Sequence, residues 1–436
     1  MKSQNLLHKI FIGVLIASVA SAVLAQTPRA PRQEQLLNGL KVLMWDDARA
    51  DKVWVRVRVH SGSAFDPQGK EGVMQLLADN LFPNEGSREY FADNLGGSLE
   101  VITTYDYIQI NASCKPESLL TMIETLATAV SNPAIDSDTT VKLRNALKAK
   151  VAALATDPTY VADQAVAKRL FGTFPYGRPQ YGTSASLQKI DFADLIDAKA
   201  RFLNADNATI ALSGNYDKDL AYRAVRRYFG GWLKADKKSP STFRQPDEPD
   251  TKPFGVTIEG TGNSAVRYAL RGLARKDGDY VASEILTRIM RTRLRNFLPK
   301  EFGASSFVTN GVHVQPGIFA LGYSSGDSPI AARPVTADSP DRPSGLPQNA
   351  AALLLSQTVS DAEFTTAKAE LEADINRKQT ADAWLDADTY KLISPTEDTR
   401  ALRNVTAADV TRVAQRLAKN PIVTMSLIQR TSPKTN

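Results

Sequence analysis

Two similar segments of this sequence decide its fold, Leu187-Gln-Lys-Ile-Asp-Phe-Ala-Asp194 and Leu402-Arg-Asn-Val-Thr-Ala-Ala-Asp409. They lie 215 residues apart, since 402 minus 187 is 215. In each segment a capping residue, Asp191 or Thr406, precedes an acidic residue by three positions, which is close to the capping-box pattern at the start of a helix. An apolar stretch typical of a strand follows each helix pattern. A match at about half the length of the chain favours a duplicated protein with two domains.

The first 25 residues have the pattern of a secretory signal peptide. A short basic start precedes the apolar run 10–24, and the small residues Val23 and Ala25 predict cleavage before Gln26. The run of about 15 residues is shorter than the roughly 20 that a membrane-spanning helix needs. We therefore expect export to the periplasm or the extracellular space, with no stable membrane span after cleavage.

The remaining 411 residues, 436 minus 25, are too many for one ordinary hydrophobic core. Residues 26–233 form the predicted N-terminal domain, and residues 255–436 form the predicted C-terminal domain. The stretch 234–254 is rich in Lys, Asp, Pro and Ser without apolar periodicity, and it predicts a linker. A second polar stretch, 326–350, predicts a long loop inside the C-terminal domain.

The charge balance excludes one large class of partner. The chain holds 53 Lys and Arg residues against 47 Asp and Glu residues, and the small basic excess is spread along the sequence. Without a dense basic patch, nucleic acid is not an expected partner. Cys114 is the only cysteine, so an internal disulfide is excluded and a buried, apolar thiol is expected.

The hydrophobic periodicity predicts an α+β fold in which strands and helices are mixed within each half. The predicted strands cover 40–45, 53–60 and a long alternating stretch at 99–112. The predicted helices cover 72–82, 117–130, 138–155 and 280–298.

Several segments together resemble the pitrilysin/insulinase family, the inverted zinc metallopeptidases that include mitochondrial processing peptidase. The segments that carry the resemblance include Asn38-Gly-Leu-Lys-Val-Leu-Met44, Gly72-Val-Met-Gln-Leu-Leu-Ala-Asp-Asn-Leu-Phe82 and Phe174-Pro-Tyr-Gly-Arg-Pro179. Their order and spacing match along nearly the whole chain after the signal peptide. The resemblance implies two homologous, processing-peptidase-like α/β-roll domains that face each other as a clamshell.

The metal motif of that family is degenerate in this sequence. The family's H-x-x-E-H helix carries two zinc-binding histidines and a glutamate that activates water, and the matching positions hold Gln75, Ala78 and Asp79. The family takes its third ligand, a glutamate, from a later helix, where this chain has Lys148 and Lys150 and no acidic residue from 141 to 156. The resemblance therefore implies no metal in this chain, with zinc expected only in a partner subunit.

The resemblance also nominates substrate-binding residues. Relatives hold an extended peptide against a sheet edge, and the matching segment contains Leu99, Ile102 and Thr103. The alternative for this segment is an ordinary half-buried strand.

In zinc-less subunits of bacterial pairs, an arginine and a tyrosine of the second half contact the substrate. The matching positions here hold Pro299 and Ser306. Arg295 and Phe307 are the candidate substitutes, with a solvated helix arginine and a core aromatic residue as the alternatives.

Two histidines remain after removal of the signal peptide, His60 and His313. Both are expected to be strand histidines and not ligands or bases, which also leaves serine-type catalysis without a base.

These observations predict a non-catalytic subunit. We expect it to pair with an active zinc-peptidase homologue of similar length and to form a peptide-degrading chamber in the cell envelope. Metalloendopeptidase activity is then expected only with the partner subunit. The alternative is a peptide-binding or assembly scaffold that has no peptidase partner.

Overall fold

The computed structural model describes residues 29–236, 243–259, 264–325 and 349–430. The predicted signal peptide 1–25, part of the predicted linker and most of the predicted loop 326–350 lie outside the described residues. No helix within the described ranges is both long enough and apolar enough to cross a bilayer.

The described part of the first half contains a six-stranded sheet and eight α-helices. The strands are β1 (Arg32–Gln35), β2 (Lys41–Asp46), β3 (Val53–Val59), β4 (Ser98–Thr103), β5 (Ile108–Cys114) and β6 (Ala208–Gly214). The helices are α1 (Val73–Asp79), α2 (Gly86–Asp93), α3 (Leu119–Ser131), α4 (Ser137–Leu154), α5 (Pro158–Phe171), α6 (Ser184–Leu187), α7 (Phe192–Phe202) and α8 (Lys218–Phe229). The strand order is β1-β2-β6-β3-β5-β4.

The second half contains a five-stranded sheet. Its strands are β7 (Phe254–Glu259), β8 (Ser264–Arg271), β9 (Phe307–Asn310), β10 (Ile318–Ser325) and β11 (Val423–Arg430), in the order β7-β11-β8-β10-β9. Its helices are α9 (Tyr280–Phe297), α10 (Lys300–Gly303), α11 (Ala350–Ser356), α12 (Asp361–Arg377), α13 (Thr380–Tyr390), α14 (Glu397–Asn404) and α15 (Ala407–Leu417).

The two sheets have the same topology. The order β2-β6-β3-β5-β4 in the first sheet corresponds to β7-β11-β8-β10-β9 in the second. In both sheets one pair is parallel, β2 with β6 and β7 with β11, and the other pairs are antiparallel. The predicted α+β fold with two homologous α/β domains is confirmed.

The repeated segments begin equivalent helices. In α7, the amide of Asp194 donates to Asp191 Oδ1 over 3.2 Å, and Asp194 Oδ2 accepts from the amide of Asp191 over 3.0 Å. In α15, Thr406 and Asp409 make the same reciprocal pair over 3.2 and 3.0 Å. Each helix leads into the central parallel strand of its sheet, so both predicted capping boxes are confirmed.

The predicted long strand at 99–112 is wrong, because the chain turns back in its middle. Strands β4 and β5 pair in antiparallel fashion. The amide of Thr104 donates to the carbonyl of Tyr107 over 2.9 Å, and Thr104 Oγ1 accepts from the amides of Asp106 and Tyr107. Alternation of apolar residues continues through this turn, so the pattern alone gave no break, while the Thr hydroxyl supplies the local hydrogen bonds that stabilise the turn.

Each half contributes one helix that packs against the sheet of the other half. Helix α5 packs Val166 and Leu170 in one apolar cluster with Ala269 and Met425 of the second sheet. Conversely, helix α13 packs Ala381 and Leu385 against the first sheet, in one apolar cluster with Leu43, Trp45 and Ala211. Each sheet is therefore covered on one face by its own helices and on the other by a helix from the opposite half.

A buried arginine lies at each of these two contacts between a helix of one half and the sheet of the other half. Arg58 of β3 lies with its Nη1 2.7 Å from Asp386 Oδ1 of α13. Arg267 of β8 lies with its Nε 2.7 Å from Asp163 Oδ1 of α5. Both arginine side chains are almost completely buried, and removal of a partner carboxylate from such a site is strongly destabilising.

The contact around α13 also encloses His60. Its Nδ1 is 3.0 Å from Thr389 Oγ1 of α13, and its Nε2 is 3.0 Å from Thr209 Oγ1 of β6. Burial, together with the nearby cations Lys391 and Arg58, lowers the pKa of His60 to about 3. The imidazole is therefore neutral at physiological pH.

The depressed pKa of His60 predicts a pH-dependent stability. The unfolded chain protonates His60 near its ordinary pKa of 6.5, while the folded chain does so only near 3. Below pH 6.5 the unfolded state binds more protons, so folding stability falls as pH falls. The free energy of unfolding of the native chain, relative to that of a His60→Gln variant, should fall by about 2 kcal/mol between pH 7.5 and pH 5. Urea unfolding of both proteins at each pH measures this difference, and equal pH dependence of the two would contradict it.

Candidate functional site

Helix α1 is held at its start by a buried carboxylate. Asp66 Oδ2 accepts from the amide of Gly72 over 2.8 Å, and Oδ1 accepts from the amide of Met74 over 2.7 Å. Gly72 has φ +106°, and a Cβ there would lie 2.6 Å from Cδ2 of Leu187. Burial raises the pKa of Asp66 to about 7, although the two amide hydrogen bonds and Arg178 oppose the rise. These contacts fix where α1 begins and which face it presents.

Helix α1 has one buried apolar face and one face that borders a cleft. Val73, Met74, Leu76 and Leu77 are buried in the core of the first half. Gln75 and Asp79 are half-buried and, with Ala78, line a cleft of about 280 Å³. Other walls of this cleft come from β4, through Leu99 and Val101, and from α4, through Leu143, Leu147 and Lys150. We call this space the α1 cleft.

The three positions of the degenerate motif therefore lie together at one wall of a real cleft. Gln75 Nε2 donates to Asp79 Oδ1 over 2.8 Å. Burial raises the pKa of Asp79, while the Gln75 hydrogen bond and the charge of Lys150 oppose the rise. The Lys150 Nζ lies 3.9 Å from the centroid of the Tyr181 ring.

These residues do not fit a zinc ion. Gln75 is a neutral amide, which is a poor zinc ligand, and its nitrogen donates to the one carboxylate of the set, Asp79. Ala78 offers a methyl group where a proton acceptor is needed, and the ammonium group of Lys150 opposes a dication. Within the described residues, no group of three or more His, Cys, Asp or Glu side chains is placed to hold a metal ion.

Among the described strands, β4 is the last strand of its sheet and offers a free edge beside this cleft. The amide of Thr104 faces β5 at the turn, so the backbone groups of Leu99, Val101 and Thr103 face away from β5. The side-chain amide of Gln180 donates to the carbonyl of Thr103. An amide donor thus already occupies one acceptor of this edge.

The predicted peptide-binding residues separate on β4. Leu99 lines the α1 cleft, whereas Ile102 belongs to the opposite face of the strand and Thr103 is buried near the turn. Val101, which lies inside the nominated segment 99–103 but was not named individually, also lines the cleft. Its position two residues after Leu99 is the signal that identifies it.

The two candidates of the second half lie elsewhere. Arg295 is exposed on the last turn of α9. Phe307 begins β9 and packs in the cluster around α5, where the guanidinium carbon of Arg267 lies 4.5 Å from its ring centroid. Ser306 Oγ donates to the carbonyl of Gly303 over 2.7 Å. Neither Arg295 nor Phe307 lines the α1 cleft, and the surroundings of Phe307 are those of a packed aromatic residue.

The expectation that both histidines lie within strands is wrong. His60 directly follows β3, and His313 lies in the connection between β9 and β10. His313 Nδ1 is 2.9 Å from Asp106 Oδ2, and its ring stacks on Tyr176 at 4.4 Å between centroids. Each histidine thus contacts the opposite half of the chain. No sequence pattern reports such a contact, because its partner lies 207 positions away.

The single thiol is where it was predicted. Cys114 ends β5 and is fully buried among apolar side chains. Burial raises its pKa to about 12, so it stays protonated and unreactive.

Comparison with known proteins identifies the family. A sequence profile described as "Insulinase (Peptidase family M16)" matches residues 41–184, and one described as "Peptidase M16 inactive domain" matches residues 189–371. An "uncharacterized zinc protease" of Rickettsia bellii is 20% identical over 400 residues, which cover 88% of this chain and 94% of that protein. An "uncharacterized zinc protease" of Mycobacterium tuberculosis is 26% identical over 209 residues, which cover 47% of this chain and only 48% of the relative.

Solved structures share the fold across nearly the whole chain. A peptidase M16 inactive domain from Pseudomonas fluorescens superposes with a TM-score of 0.77 at 18% identity, covering 93% of this chain and 99% of that chain. The periplasmic protease PqqL of Escherichia coli superposes with a TM-score of 0.68 at 15% identity, covering 93% of this chain and 48% of that chain. Two profiles of one family on successive segments, with this fold, show that the chain belongs to the pitrilysin/insulinase family of metallopeptidases, peptidase family M16.

Proposed function

We propose that this protein is the non-catalytic subunit of a peptidase pair in the cell envelope. It joins an active zinc-peptidase homologue of similar length, closes the peptide-degrading chamber and presents peptide along β4. The observation that carries this proposal is the wall of the α1 cleft, where Gln75 is hydrogen-bonded to Asp79 beside Lys150.

The residues at that wall indicate that the catalytic groups are missing while the shape of the cleft is retained. Peptide hydrolysis by this family needs a metal-bound water and a carboxylate base. Ala78 stands at the position of the base, and Asp79 is engaged with Gln75. The cleft of about 280 Å³ and the free edge of β4 are nevertheless present. A chain that keeps the site for a peptide but lacks the catalytic groups is suited to a supporting subunit.

The length of one relative supports pairing. The superposition covers 93% of this chain but only 48% of the periplasmic protease PqqL, so PqqL is about twice as long. Together with a second chain of similar length, this protein would form a pair with the same number of homologous domains as PqqL. The predicted signal peptide, and the periplasmic location of PqqL, support placement of the pair in the envelope.

Affinity capture tests the pairing. The full-length gene, with a C-terminal affinity tag, is expressed in the native host, and proteins that co-purify from the envelope are identified by mass. We expect a homologue of similar length with an intact H-x-x-E-H motif. A tagged version without residues 1–25 is the matched control, since it stays inside the cell and should not capture that partner. Recovery of this chain alone, or within an unrelated complex, would refute the pairing and favour the assembly scaffold.

Zinc titration tests the loss of the metal site. The native mature chain should show no zinc binding by calorimetry, because the α1 positions offer one engaged carboxylate. A Gln75→His/Asp79→His variant should bind zinc, since two histidines four residues apart share one helix face. Adding Lys150→Glu should strengthen binding by about tenfold or more, because it replaces an opposing charge with a third ligand. Tight one-to-one zinc binding by the native chain would contradict this interpretation.

A further inference from the structure

The rim of the α1 cleft carries more positive than negative charge. Lys142 and Lys150 project from one face of α4, eight positions apart (150 minus 142), and both line the cleft. Arg88 of α2 joins them. All three residues are exposed. The acidic residues that line the same cleft are Asp79 and Glu85.

The positive charges of these three residues are not neutralised by ion pairs within the described part of the chain. There, the side chains of Lys142, Arg88 and Lys150 make no hydrogen bond or ion pair within 4 Å. Lys150 lies over the ring of Tyr181, and the charges of Lys150 and Arg88 also act on Asp79. Lys148, on another face of α4, is different, because its Nζ donates to Gln188 Oε1 over 2.7 Å. The rim therefore holds positive charge that a ligand can neutralise.

The spacing of the two lysines fits an extended peptide. Eight residues of α-helix rise by about 12 Å. Four residues of an extended strand span about 13 Å, and side chains at positions i and i+4 lie on the same face. Two acidic side chains four residues apart can therefore meet Lys142 and Lys150 together. A single terminal carboxylate can meet only one of them.

The neighbouring backbone can hold such a peptide. The free groups of Leu99 and Val101 on β4 border the same cleft, and a strand added there gains main-chain hydrogen bonds. Main-chain bonds of this kind are independent of sequence, so any preference must come from the side chains around the cleft.

We propose that the α1 cleft selects extended peptides with acidic side chains four residues apart, which face Lys142 and Lys150. This inference rests on the proposed peptide-presenting role and adds the class of peptide. In this chain the lost metal chemistry is replaced by charge recognition, so acidic segments of a substrate are retained while the partner subunit cuts elsewhere in the same chamber.

Fluorescence anisotropy of short labelled peptides tests the proposal on the intact mature chain. Two peptides blocked at both ends are identical except for Glu or Gln at positions i and i+4. The Glu peptide should bind about tenfold more tightly than the Gln peptide. The difference should shrink at high salt, because the charges are exposed.

Two variants locate the effect. A Lys142→Glu/Lys150→Glu variant should lose the preference for the Glu peptide, measured as the ratio of the dissociation constants of the two peptides. A Lys148→Glu variant is the matched control on the same helix and should keep the preference. Equal binding of the two peptides, or equal loss in the Lys148→Glu variant, would overturn the proposal.

The remaining outcomes separate this inference from the proposed function. Equal binding of both peptides refutes only the acidic preference and leaves presentation on β4 in place. If neither peptide binds, presentation on β4 and the acidic preference both fail. Tighter binding of a Gln peptide with a free C-terminal carboxylate than of the Glu peptide would also overturn the proposal, because the cations would then recognise a chain end.

Discussion

The structure depends on a reciprocal exchange of helices between its two halves. Helix α5 leaves the first half to cover the second sheet, and α13 leaves the second half to cover the first. Each of these contacts combines apolar packing with an ion pair between a buried arginine of the sheet and an aspartate of the helix from the other half. Because a buried arginine without its carboxylate is costly, neither half is complete without the other. The exchange fixes how the two sheets are arranged.

The candidate site follows from this frame and from local chemistry. Asp66 and Gly72 set the start of α1, and the helix then carries Gln75, Ala78 and Asp79 to the cleft. At this wall of the cleft, the side chains of Gln75 and Asp79 form a hydrogen bond with each other.

Sequence reasoning succeeded where a pattern is local. The capping boxes at Asp191 and Thr406 are short-range hydrogen-bond patterns, and the structure contains both. The family resemblance nominates the positions of the degenerate motif, helical spacing places them on one face, and they do meet in one cleft. Reasoning from sequence failed where the deciding contact is distant. The alternation of β3 suggests that Arg58 faces water, yet α13 covers it with Asp386, 328 positions away. Likewise α5 presents a modest apolar face whose partner surface lies in the other half, and the turn after Thr103 depends on one hydroxyl group.

Peptide cleavage by the separated and recombined subunits tests whether this chain is a non-catalytic partner of a zinc peptidase. A quenched-fluorescent peptide is given to the mature chain alone, to the zinc-bearing homologue alone and to the two together, with and without a chelator. The account predicts no cleavage by this chain alone and chelator-sensitive cleavage by the pair, at a rate above that of the homologue alone. It also predicts that changing the motif glutamate of the homologue to glutamine abolishes the activity of the pair. Chelator-sensitive cleavage by the mature chain alone would contradict the account.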